Sequence, residues 1–135
     1  MRAIDQTLFT LLRVDATLQG LGVAVDNVHR NKVPDDQPLP GIVYMSPPGE
    51  DDYTLTRRAS TKYLYTIKVV TEGYDAEELA GRIAARIDAM VNDAALVVVG
   101  YTLMNCRRTT DISYGETVGD QAFYHAGGTY EIEVT

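Results

Sequence analysis

Residues 60–93 read STKYLYTIKVVTEGYDAEELAGRIAARIDAMVND, and a change of hydrophobic period inside them decides the fold. Up to Glu72 the period is two. Tyr63, Tyr65, Ile67 and Val69 fall on one side of an extended chain, and Lys62, Leu64, Thr66, Lys68 and Val70 on the other. The first side is the more apolar, which predicts a strand of an antiparallel sheet covered on one face. Gly73 ends it. From Asp75 onward the period is that of a helix, with Leu79, Ile83, Ile87 and Met90 or Val91 on a buried stripe, and Ala80 and Ala84 allowing close approach to a sheet. Asp75 and Glu78 have capping-box spacing, Glu77 and Glu78 suit the positive end of the helix dipole, and Glu78 stands four residues before Arg82.

The flanking segments extend this pattern. AIDQTLFTLLRVDATLQG (3–20) places Ile4, Leu8, Leu11, Leu12 and Leu18 on one helical face, with Gly20 as a stop. A valine-rich strand is predicted near 23–30. A proline-rich extended connection follows over 31–41, and a short strand over GIVYM, 41–45. The polar stretch from Ser46 to Arg58 predicts a long exposed loop or hairpin tip. AALVVVGYTLMNCRR (94–108) predicts a strand with a bend at Gly100, the polar 109–121 stretch a second exposed loop, and 122–134 a final strand.

The expected fold class is therefore α+β: a single antiparallel-rich β-sheet with two helices packed on one face, in the order α-β-β-β-α-β-β. A chain of 135 residues suits one domain over 1–135, with long exposed loops near 47–58 and 109–121.

Composition narrows the function. The chain is 45% hydrophobic and 23% charged, as in an ordinary globular protein, and a lone cysteine rules out an internal disulfide. No apolar run approaches the about 20 residues that span a bilayer, and the N-terminus lacks a signal-peptide pattern. Membrane partners and Sec export are not expected. The net charge of −7, with Arg57-Arg58 and Arg107-Arg108 as the only adjacent basic pairs, argues against tight sequence-specific DNA binding.

Candidate chemistry is sparse. The two histidines, His29 and His125, and Cys106 are far apart in sequence, so no metal site is expected. Ser46 and Ser113 lie in no nucleophile motif, and neither glycine-rich nucleotide fingerprint occurs. The acidic runs Asp35-Asp36 and Glu50-Asp51-Asp52 read as solvated loop residues, with binding of a divalent ion as the alternative. No catalytic residue, cofactor or metal ligand is assigned, and the nine tyrosines suit sheet packing first and interfaces second. In DQAFYHAGGTYEIEVT (120–135), an unbroken period of two puts Tyr124, Ala126, Gly128, Tyr130, Ile132 and Val134 toward the core, and His125 outward. His125 then lacks the partners catalysis needs and becomes a candidate subunit contact. Gly127 and Gly128 either bend the strand or admit a neighbouring backbone.

Six strings taken in order resemble the small tail terminator, or tail-completion, proteins of tailed bacteriophages. They are the N-terminal helix ending near LQGLG, LPGIVYM, KYLYTIKVVTEG, the helix DAEELAGRIAARIDAMV, a hydrophobic strand, and YHAGGTYEIEV. The resemblance implies a non-enzymatic structural protein of the virion, made in the host cytoplasm and placed at the head-proximal end of the tail. It implies a homo-hexameric ring that stops tail-tube polymerisation and joins the head connector. Its partners would be its own copies, the major tail tube protein, the head-closure or connector protein, and genomic DNA passing through the lumen without sequence-specific binding. Alternatives are another neck ring protein or, from a different class, a small host ligand-binding or enzymatic domain. A closed ring needs head-to-tail contacts. The contact residues expected from the two polar loops and the basic pairs are Asp51, Asp52, Tyr53, Arg57, Arg58, Arg107, Arg108 and Tyr114, together with His125.

Overall fold

A computed structural model describes residues 1–47, 49–53 and 58–135. Three helices, α1 (Arg2–Arg13), α2 (Ala16–Gly20) and α3 (Ala76–Val91), accompany six strands: β1 (Val28–Arg30), β2 (Gly41–Met45), β3 (Glu50–Tyr53), β4 (Arg58–Glu72), β5 (Leu103–Val118) and β6 (Gln121–Val134). The fold is α+β, as the change of period predicts. The strands form one sheet in the order β1-β2-β4-β6-β5, with β3 also on β4. All pairings are antiparallel except β1 with β2.

One face of the sheet is covered by the helices. Tyr44, Tyr65, Ile67, Val69, Tyr130, Ile132 and Val134 meet Ile4, Leu8 and Leu12 of α1, Leu18 of α2, and Ala80, Ile83, Ile87 and Val91 of α3 in one core. These are the positions the two periods select, and burying each large side chain contributes about 1.5–3 kcal/mol. Buried hydroxyls take partners: Tyr65 donates to Asp5 Oδ1 at 2.7 Å and Tyr130 to Asp88 Oδ1 at 3.0 Å.

Four local expectations change. The first helix breaks at Val14, because Asp15 caps a separate α2: its Oδ2 accepts from the Leu18 N–H at 2.9 Å. Arg86 of α3 grips the same carboxylate at 3.0 and 2.7 Å. At α3, Asp75 is the N-cap but makes no side-chain cap hydrogen bond, so the capping box is not formed.

The apolar run at 94–100 is not a strand. Val98 is buried, yet Val97 and Val99 are 78% and 80% exposed, and Gly100 turns the chain at φ 84°. The place beside β6 that this run would need is taken by Leu103, which pairs with Val134. Finally, the 109–121 stretch is no loop. Residues 109–118 continue β5, and a two-residue Gly119-Asp120 turn, with Gly119 at φ 61°, leads into β6. Its polarity reflects an edge strand with a neighbour on one side only. Of the expected 47–58 loop, residues 50–53 form β3 and Arg58 opens β4; Pro48 and residues 54–57, Arg57 among them, lie outside the described residues.

Candidate functional site

Period two holds without interruption along β6 against β4, from Thr61 opposite Val134 to Glu72 opposite Phe123. The glycine pair therefore does not bulge β6 against β4. It admits neighbouring backbone of the same chain, that of β4 at Gly127 and that of β5 at Gly128. A Cβ on Gly127 would sit 2.0 Å from the Ile67 carbonyl oxygen and 2.6 Å from Lys68 Cα, and one on Gly128 would sit 3.0 Å from the Thr110 carbonyl oxygen.

His125 accordingly lies on the face away from the helices, and its side chain is packed into that face rather than projecting from it. Only 7% of the residue is exposed. Tyr114, its cross-strand neighbour on β5, stacks on the imidazole with ring centroids 4.5 Å apart and planes 9° from parallel. His125 does have a carboxylate neighbour, since its Nε2 lies 3.3 Å from Glu116 Oε1. With the proton on Nε2, Nδ1 is a buried acceptor without a partner among the described residues. Burial holds the imidazole pKa below its ordinary value, and the Glu116 hydrogen bond opposes that shift. Lys68 completes the group by donating to the Tyr114 hydroxyl at 3.0 Å.

This cluster floors one end of a groove of about 740 Å³ on the outer face. The proline-rich 31–39 connection forms the opposite wall, and Val43, Val70 and Phe123 form the apolar floor. Buried Asn27 pins that connection. Its Nδ2 donates to the Pro38 carbonyl and, at 2.9 Å, to that of Pro40, while its Oδ1 accepts from His29 Nε2 at 2.9 Å. Chemically the groove offers the carboxylates of Asp35, Glu72 and Glu116, the ammonium groups of Lys32 and Lys68, and the buried imidazole of His125. Among the described residues no serine, threonine or cysteine side chain is hydrogen-bonded to the imidazole, and no group of three His, Cys, Asp or Glu side chains is placed to hold a metal ion.

Of the other candidate contacts, Arg58 opens β4, and the remaining described ones lie on the edge strands β3 and β5. Asp51, Asp52 and Tyr53 are on β3, where Asp51 accepts from the Thr61 hydroxyl at 2.7 Å and lies 3.9 Å from Arg58. Arg107, Arg108 and Tyr114 are on β5. Arg107 is exposed, whereas Arg108 spends its charge within the chain, on Asp111 at 2.6 Å and Asp88 at 3.5 Å. Cys106 is buried, donates to the Val91 carbonyl at 3.1 Å, and has its thiol pKa pushed up to about 11 by burial. Sequence reasoning missed Asp111, Glu116 and Lys68. The alternation of Ile112, Tyr114, Glu116 and Val118 was the signal that could have placed 109–118 on a strand.

The class these features define is a small α+β protein with two open sheet edges and a half-apolar groove. A sequence profile of the tail completion protein gp17 family matches residues 6–133, and the chain belongs to that family. It is thus a structural protein of the bacteriophage virion, located in the tail. Comparison with curated proteins gives no match. Among solved structures, a chain titled "Virion of native gene transfer agent (GTA) particle" is 21% identical, with a TM-score of 0.67, covering 93% of this chain and 91% of its own. A second solved chain, 13% identical, has a TM-score of 0.57 and covers 97% of this chain and 94% of its own. At these identities the likeness is one of fold.

Proposed function

We propose that this protein is a tail terminator: a closed homo-hexameric ring on the head-proximal end of the tail tube that stops tube polymerisation and presents a joining surface to the head connector. The observation that carries the reading is the family match over nearly the whole chain, 6–133. The fold supports it, because open sheet edges supply the head-to-tail surfaces a closed ring requires. The net charge of −7 suits a conduit that does not trap DNA. In this reading the major tail tube protein and the head-closure protein are the axial partners, DNA passes without sequence-specific binding, and the residues of β3 and β5 serve contacts rather than catalysis.

The test is assembly of tube protein in the presence and absence of this chain, with tube ends and lengths scored by electron microscopy and the free protein weighed by native mass spectrometry. Hexamers that arrest tubes at one end are expected. A chain that stays monomeric and leaves tube growth unchanged rules the reading out.

A further inference from the structure

The two edges of the sheet are complementary in direction and in charge. Strand β5 runs with β4, because both are antiparallel to β6; β3 and β2 are antiparallel to β4, and β1 follows β2. Two copies standing side by side in the same orientation would therefore bring β5 of one against β1 and β3 of the next in antiparallel sense. That is the pairing that lets strand alternation continue from copy to copy.

Tracing the register across the sheet adds the charges. Arg30 on β1 is level with Asp111 on β5, through Tyr44, Ile67 and Gly128. Lower on the sheet the signs reverse. Strand β3 carries Glu50, Asp51 and Asp52, and Glu50 is level with Asn105 through Lys62 and Glu133. Arg107 lies two rows higher, opposite Glu131, an offset of about 7 Å that an arginine side chain can reach across. One edge thus reads basic above and acidic below, and the other acidic above and basic below.

Exposure supports the match. Arg30 and Asp111 side chains are 56% and 67% exposed despite their internal partners Asp5 and Arg108, and Arg107 has no ion pair among the described residues. Strand β5 also leaves Met104, Tyr114 and Val118 between 44% and 60% exposed, on an edge without proline or lysine to discourage pairing. We infer that β5 of one copy seats on the β1/β3 edge of a second copy, with Asp111 facing Arg30 and Arg107 facing the acidic β3. The inference rests on the ring reading above and specifies the contact that closes the ring.

The experiment uses two full-length variants. One carries Arg107→Glu with Asp111→Arg, and the other carries Arg30→Glu with Glu50→Arg, since Glu50 and Arg107 share the outer face of the sheet. Circular dichroism verifies that each variant folds. Each alone should lose the oligomer in native mass spectrometry. A one-to-one mixture should regain it, since each reversed edge then meets a reversed partner in an alternating ring. If either folded variant alone keeps the wild-type oligomer, or if the mixture stays monomeric, the edge assignment is wrong while the ring reading stands. If the wild-type chain is itself monomeric and does not arrest tubes, the ring reading fails and takes the edge assignment with it.

Discussion

At the residue scale, His125 and Gly127 carry the clearest consequences. The buried imidazole favours its neutral form, with its folded pKa held below the ordinary 6.5 by burial. A depressed folded pKa means that its contribution to stability is full above 6.5 and is lost as the pH falls through the lowered value. His125→Gln should therefore flatten the decline of the thermal midpoint between pH 7 and mildly acid conditions, and parallel pH-dependent melts of the two proteins measure it. Gly127 responds to steric change instead. Gly127→Ala forces a Cβ against the β4 backbone and should cost about 3 kcal/mol or more in denaturant unfolding. Gly81 on α3 is the control. A Cβ there meets nothing within 4 Å, so Gly81→Ala should stabilise by about 0.5–1 kcal/mol through helix propensity.

At the element scale, the junction of α1, α2 and α3 hangs on one carboxylate. Asp15 caps α2 and accepts both hydrogen bonds from Arg86. Asp15→Ala removes cap and ion pair together and should cost about 2 kcal/mol. Asp15→Asn keeps an N-cap oxygen and should cost less. The Arg86 hydrogen bonds, more than any other cause, hold the Asp15 pKa below its ordinary 3.8. The stability they supply is full above that value and is lost as the pH falls from 3.8 through the lowered folded value. Acid titration of the unfolding free energy should show a shallower limb in Asp15→Asn than in wild type. The edge strand β5 makes a separate point. Its two neighbours in composition, a polar loop and an outer strand, look alike in a sequence, since an edge strand beyond the helix layer leaves most of its side chains in water. Only the pairing with β6, residue by residue from Leu103 to Val118, separates them.

At the scale of the whole molecule, assembly through the edges would be electrostatic in its selectivity, so the ring should loosen as salt screens Asp111–Arg30 and Arg107–β3 contacts. Sedimentation velocity across a salt series should show the oligomer giving way to monomer, and a salt-independent oligomer would point to an apolar contact surface instead.

The sequence by itself determined the α+β class, the inward faces of β4, α3 and β6, and the family, because these depend on period and on the order of elements, both written locally. Tyr65, Ile67, Ile83 and Ile132 are buried where their spacing puts them. Only the tertiary structure decided the rest. The carboxylate of Glu116 meets His125 because the hairpin brings two strands into register, and Val97 and Val99 stay exposed because β5 already holds the place beside β6. Arg30 and Asp111 become level across four intervening pairings although they lie far apart in the chain. Such juxtapositions arise from strand pairing between distant segments, and a pattern that repeats every two or every 3.6 residues contains no record of which distant segment will lie alongside.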